Sequence, residues 1–201
     1  WKSYFKKWIE DSNPQDVLEF SVFFDIRGVA GAIEIADDMR NHVSALLTRN
    51  PQFLVQLARN ALGYSPPIRL FGNIMSYGGK AHPDLLDVKA PNLAIAGFAR
   101  LYALKMNISE TNTIARLAAI TRAGILQDST HRNIVTTFEA LSRLRLWNQV
   151  LSLQKNQELG NWLNPDHLGH IEEVILIECF NEIEMLQSRI QRDFFGGAQI
   201  V

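Results

Sequence analysis

From Leu168 to Phe194 the apolar residues Leu168, Ile171, Ile175, Cys179, Ile183, Leu186, Ile190 and Phe194 return every three or four positions, a period that only an α-helix turns into one continuous face. Asn164-Pro165 opens this stretch with a capping residue and a proline suited to the first helical turn, so the sequence predicts a single rod of about 30 residues, roughly 45 Å long at 1.5 Å per residue. A rod with one apolar stripe needs other helices to cover it. The chain supplies them. Trp1, Tyr4, Phe5, Trp8 and Ile9 share a face opposite Lys2, Lys6, Lys7 and Glu10, Asn13-Pro14 starts a short turn through Leu18, and helical patterning follows over Ile33–Leu47 and from Asn50-Pro51 through Leu62. A further helix is expected from Pro91 to Met106, another capped by Ser109 and closing near Arg122 before Gly124, and a long one from Asp128 or Ser129 to about Gln154, broken by Gly160 and Asn161.

Two segments depart from this rhythm. Ser21-Val22-Phe23-Phe24-Asp25-Ile26-Arg27-Gly28-Val29 is β-branched and aromatic and reads as a strand, with Asp25 and Arg27 alternating onto one face. That pair fits either a surface ion pair on an edge strand or a ligand-facing edge of a sheet. Gly63 to Lys80 holds Pro66, Pro67 and four glycines and reads as a long loop whose apolar members pack. Helices with short connections describe a mainly α fold, an antiparallel helical bundle, preceded by an N-terminal helix and strand.

Of the 201 residues 47% are hydrophobic and 20% charged, enough apolar material for a core, and the formal net charge of −1 lacks the basic excess that nucleic-acid binding requires. The single cysteine, Cys179, cannot form an intramolecular disulfide, which points to the cytoplasm, and no apolar run reaches membrane-spanning length. The chain begins at Trp1, so the expectation is that sequence precedes it.

The polar residues set among apolar ones are the candidates for chemistry. Arg100 lies in an apolar helix, Asn112, Thr113 and Arg116 in the first turns of the next, and Arg143, Arg145 and Gln149 on the long one. Such arginines either snorkel or pair with internal acids such as Asp87, Glu110 or Glu139, or converge into an anion site with helix N-terminal amides. His167, His170 and Glu173 have the spacing that metal ligands use on a helix, which an exposed polar face explains equally. Neither a Gly-x-Ser-x-Gly turn nor a phosphate-binding Gly-x-x-x-x-Gly-Lys loop is present, and Gly78-Gly79-Lys80 is too short to stand in for one.

Phe23-Phe24-Asp25-Ile26-Arg27 with Gly31, then Leu57-Ala58-Arg59-Asn60-Ala61-Leu62, Pro66-Pro67 and Leu70-Phe71-Gly72, resemble nucleotidyltransferases that carry cyclic-nucleotide-binding and CBS domains upstream. Asp87-Val88-Lys89, Ala99-Arg100-Leu101-Tyr102-Ala103-Leu104, Glu110-Thr111-Asn112-Thr113, Arg116-Leu117, Leu144-Arg145-Leu146 with Gln149, and Asn161 before Pro165 and Leu168 continue the resemblance in order. Ala32 stands where that family carries an acidic residue after the glycine. The family resembles the uridylyltransferases that modify PII signalling proteins. It implies a polymerase-β-like sheet bearing a Gly-Ser turn and an Asp-x-Asp pair, with Mg²⁺ and a nucleoside triphosphate at the full-length enzyme. This sequence contains neither motif. The resemblance therefore implies that residues 1–30 are the end of the nucleotidyltransferase domain and 31–201 its helical substrate-binding domain, with no catalytic residue in the chain. Substrate contacts would fall on Lys89, Arg100, Asn112, Thr113, Arg116, Arg145 and Gln149, and Asp25 and Arg27 would lie near the nucleotide. The expected partners are the upstream domains and a protein or small-molecule acceptor, not nucleic acid or membrane. A helical regulatory module without enzymatic activity is the alternative.

Overall fold

The computed structural model describes residues 1–11, 17, 21–68 and 84–196. Seven α-helices dominate the described residues: α1 (Lys2–Glu10), α2 (Glu34–Arg49), α3 (Pro51–Ala61), α4 (Ala90–Lys105), α5 (Thr113–Arg122), α6 (Asp128–Gln154) and α7 (His170–Phe195). Two short strands, β1 (Leu86–Asp87) and β2 (Trp162–Leu163), pair antiparallel with Leu86 opposite Leu163 and Asp87 opposite Trp162. The mainly helical expectation holds, and none of these helices is long and apolar enough to cross a membrane. The turn expected from Asn13-Pro14 and most of the loop to Lys80, with the Leu70-Phe71-Gly72 motif, lie outside the described residues.

The chain forms two compact units. One comprises Trp1–Gly63, Ala96–His131 and Ile190–Val201, the other Tyr64–Ile95 and Arg132–Arg189. Residues 1–30 thus share a unit with α2, α3, α5 and the later part of α4.

In the first unit, α1 packs on α2 and α2 on α3. Phe5 and Ile9 carry the buried face of α1, whereas Trp1 and Tyr4, expected on the same face, are largely exposed. The strand expected over 21–29 does not form. Ser21–Asp25 is a 3-10 helix, and its aromatic side chains join clusters instead of a ladder: Phe24 meets Phe5 and Phe53 at ring separations of 5.6 and 5.5 Å, and Phe23 meets Trp8 at 5.3 Å. β-propensity measures fit to a pleated, half-buried surface, and ring packing supplies an equally good burial without a partner strand. Between α2 and α3, Asn50 is the residue before Pro51, but its side chain donates backward to the Leu46 carbonyl at 2.9 Å, satisfying an acceptor that the end of α2 leaves open. Later in this unit the α5 cap is Asn112 and not Ser109: the Asn112 side-chain oxygen accepts from the Ala115 amide at 3.1 Å. Gly124 follows α5 with a φ of +79°, the left-handed position that ends a helix at least cost to glycine.

In the second unit, Asp87 caps the start of α4, its carboxylate accepting from the Lys89 and Ala90 amides at 2.7 and 3.2 Å. Ile134, Leu141, Leu163, Leu176, Cys179, Phe180, Ile183 and Leu186 form its core. The closing rod is shorter than the sequence predicts. Asn164-Pro165 opens only the 3-10 turn Pro165–His167, capped by Asn164 on the Asp166 amide, and α7 begins afresh at His170, where the Glu172 carboxylate accepts from the Gly169 amide at 2.7 Å. A local side-chain cap at each start competes successfully with one uninterrupted helix.

Candidate functional site

Asp25 organises the polar interior of the first unit. Arg100 on α4 approaches its carboxylate with two nitrogens, Nε to Oδ1 at 3.2 Å and a terminal nitrogen to Oδ2 at 2.6 Å, while Arg116 on α5 donates to Oδ1 at 2.6 Å. Arg116 is 3% exposed, and its Nε donates to the Glu110 backbone carbonyl at 2.7 Å. Burial by itself raises the Asp25 pKa, but hydrogen bonds and charge from Arg100 and then Arg116 outweigh it and hold the carboxyl below its ordinary value of 3.8. Burial lowers the Arg116 pKa, Asp25 opposes that shift, and the guanidinium remains charged at neutral pH. Arg100 and Arg116 therefore do converge, as nominated, but on an internal acid. That acid is none of Asp87, Glu110 and Glu139. Arg27, expected beside Asp25, is exposed.

Beside this triad lies a cavity of about 330 Å³, bounded by Phe5, Phe23, Phe24, Ile26, α2 and residues 103–110 together with Arg116. Arg40 crosses its edge, donating to the Ile26 carbonyl at 3.1 Å and pairing with Asp37. Sequence reasoning missed Arg40, Ser44 and Glu110 as lining residues, because on an amphipathic helix or in a connecting loop such residues read as solvent-facing polarity.

The second unit holds Lys89, Arg145 and Gln149. The Arg145 Nε donates to the Asn161 side-chain oxygen at 2.8 Å, the Asn161 backbone carbonyl accepts from the Val88 amide at 2.8 Å, and Asn148 donates to the neighbouring Trp162 carbonyl at 3.2 Å. Asn161 thereby ties the Asp87-Val88-Lys89 segment to α6. Lys89 is exposed, Arg145 and Gln149 are half-buried, and Arg145 makes no ion pair among the described residues. Of the remaining nominees, Asn112 caps α5 and Thr113 is its first residue. His167 and His170 fall on different elements separated by Leu168-Gly169, so the helical spacing expected of them with Glu173 is not realised. Among the described residues no group of three or more His, Cys, Asp or Glu is placed to hold a metal ion.

Residues 51–194, well over half of the chain, match the family described as Putative nucleotidyltransferase substrate binding domain. The chain belongs to that family. No curated protein and no solved structure matches it. The substrate-binding family span opens at the first residue of α3 and closes in the last turn of α7, so it contains Lys89, Arg100, Asn112, Thr113, Arg116, Arg145 and Gln149. Asp25 lies before it. The carboxylate that pairs with two arginines of the substrate-binding domain thus comes from sequence outside the matched span.

Proposed function

We propose that this chain supplies the acceptor-binding part of a nucleotidyltransferase similar to the enzymes that uridylylate PII proteins, with the catalytic carboxylates, Mg²⁺ and nucleoside triphosphate held by sequence outside it. In such a transfer an acceptor nucleophile bonds to the α-phosphorus, the bond to pyrophosphate breaks, and the acceptor proton passes to a base of the catalytic part. The cyclic-nucleotide-binding and CBS domains of the resembled family would lie on the same chain. The observation that carries the reading is the Asn161 junction within the matched span. It joins two segments of the family pattern, one bearing Lys89 and the other Arg145 and Gln149, and leaves the terminal nitrogens of Arg145 without an ion pair among the described residues. Acceptor recognition by charge-assisted hydrogen bonds is assigned to these three residues, because Arg100 and Arg116 already donate to Asp25.

The test uses the full-length protein and a nucleoside triphosphate labelled at the α-phosphate. Lys89→Ala and Arg145→Ala are each expected to lower kcat/KM for the acceptor about tenfold, the loss of one charge-assisted contact, without unfolding the protein. Unchanged kinetics in both variants would remove the acceptor site from this junction. A full-length protein that binds nucleotide yet transfers none to any acceptor would instead be the regulatory module.

A further inference from the structure

Arg116 carries more donors than its partners use. Its Nε donates to the Glu110 carbonyl and one terminal nitrogen to Asp25, but the other terminal nitrogen, Nη1, makes no hydrogen bond among the described residues, although the side chain is only 4% exposed. Nη1 is not sealed inside protein either. The space open to it is the cavity of the first unit. Arg116 is the only residue of α5 that lines this cavity, so its side chain reaches the wall while the helix backbone stands back. Two fixed acceptors hold the guanidinium at that wall: Asp25, whose chain neighbours Phe24 and Ile26 both line the cavity, and the backbone of Glu110, which lines it too.

Charge selects the ligand. Arg100 and Arg116 share one carboxylate, Asp25, so two guanidiniums and one acid leave a single positive charge unmatched beside the cavity. Arg40 and Asp37 at the cavity edge cancel each other, and the Glu110 side chain is exposed, where water and salt screen its charge. A neutral molecule would leave that surplus as it is. A phosphate monoester brings about −1.5 to −2 charges at neutral pH and would carry an excess into the site, whereas a carboxylate brings one and matches it. The rest of the cavity suits an apolar body: Phe5, Phe24, Val43, Leu47 and Ala103 line it and are each no more than 6% exposed. At about 330 Å³ it falls in the range of small-molecule sites. We infer that this cavity binds a small monocarboxylate bearing an apolar ring, its carboxylate accepting from Arg116 Nη1 and its ring packed against Phe5 and Phe24. The site lies in the other unit from the Asn161 junction, so it stands or falls apart from the acceptor reading.

Two probes of one shape test this on the 201-residue chain: 4-phenylbutyrate, and 4-phenylbutyramide, in which a neutral amide replaces the carboxylate. Titration by calorimetry gives the affinities, and the methyl resonance of Met39, which lines the cavity, reports where binding occurs. The carboxylate is expected to bind about tenfold more tightly than the amide, or more, and to shift the Met39 methyl. This comparison needs no variant, so it decides the charge selectivity whatever a substitution does to folding. Arg100→Gln removes the surplus charge while leaving Asp25 paired with Arg116, and is expected to weaken the carboxylate about fivefold or more with the amide unchanged. Ser44→Phe, which places a ring into the cavity from α2, is expected to abolish binding of both. The inference is overturned if the amide binds as tightly as the carboxylate, if neither binds, if Met39 does not respond, if Ser44→Phe still binds, or if folded Arg100→Gln keeps the full preference for the carboxylate.

Discussion

The two units of this chain solve the same problem, how to hold polar side chains inside helical packing, in opposite currencies. The first uses full charges: one carboxylate and two guanidiniums, brought together from positions 75 and 91 residues apart in sequence. The second uses mostly neutral amides, with Asn161, Asn148 and Asn92 bonding to a guanidinium, a backbone carbonyl and the Ser142 hydroxyl. Removing one partner from a buried ionic cluster strands a charge, whereas removing one from an amide junction costs a single hydrogen bond. The first unit should therefore be the brittle one and the second the tolerant one.

The largest effect is expected at Asp25. Asp25→Asn leaves Arg116 buried without a counter-charge and should destabilise the protein by about 3–5 kcal/mol in denaturant titration. Because the Asp25 pKa is depressed by folding, its contribution is fully present at neutral pH, persists down to the ordinary value near 3.8, and is lost as pH falls further through the folded value. The wild-type chain should lose stability in that acid window, and Asp25→Asn should lose less there. Equal acid sensitivity of the two would remove the ionic account of the first unit. A smaller effect belongs to the junction: Asn161→Ala should cost about 1 kcal/mol, measured in the same way, since it deletes one side-chain bond and spares the backbone bond to Val88. A loss as large as that of Asp25→Asn would erase the contrast between the units. The smallest concerns the exposed pair of Arg143 and Glu139 at 3.5 Å, where Arg143→Ala should shift stability by less than about 0.5 kcal/mol in either direction. A shift well beyond that would mean the pair belongs to a larger network.

Periodicity made α2, α3, α5 and α6 legible to within a few residues and apolar density did the same for α4, which is buried on most sides, while α7 starts later than its apolar pattern predicts. Caps were legible only as candidates. Ser109 and Asn112 both have the chemistry, and the choice between them depends on where the backbone of the preceding segment runs. The run from Ser21 to Val29 was misread for a related reason: Phe23 and Phe24 have strand-like propensity, but the rings of Trp8, Phe5 and Phe53 decide their conformation, and those contacts are not local. The candidate site shows the same limit. Arg100 and Arg116 could be nominated as arginines needing partners, yet their partner was sought among nearby acids, and Asp25 reached them through folding. Lys89, Arg145 and Gln149 could be nominated too, but Asn161 as the joint between them is visible only once Val88 and Trp162 are in place.

The position of Asp25 bears on how the protein can be cut. A fragment trimmed to residues 51–194 would keep every residue by which the family is identified and discard the acid that two of its arginines need. Such a fragment would also lose α1, α2 and the ring of Phe24 that packs on Phe53, and would be prone to sticking to its neighbours through the apolar surface so uncovered. The edges of a sequence family and the edges of a foldable piece need not coincide, and in this chain a single carboxylate sets them at least 26 residues apart.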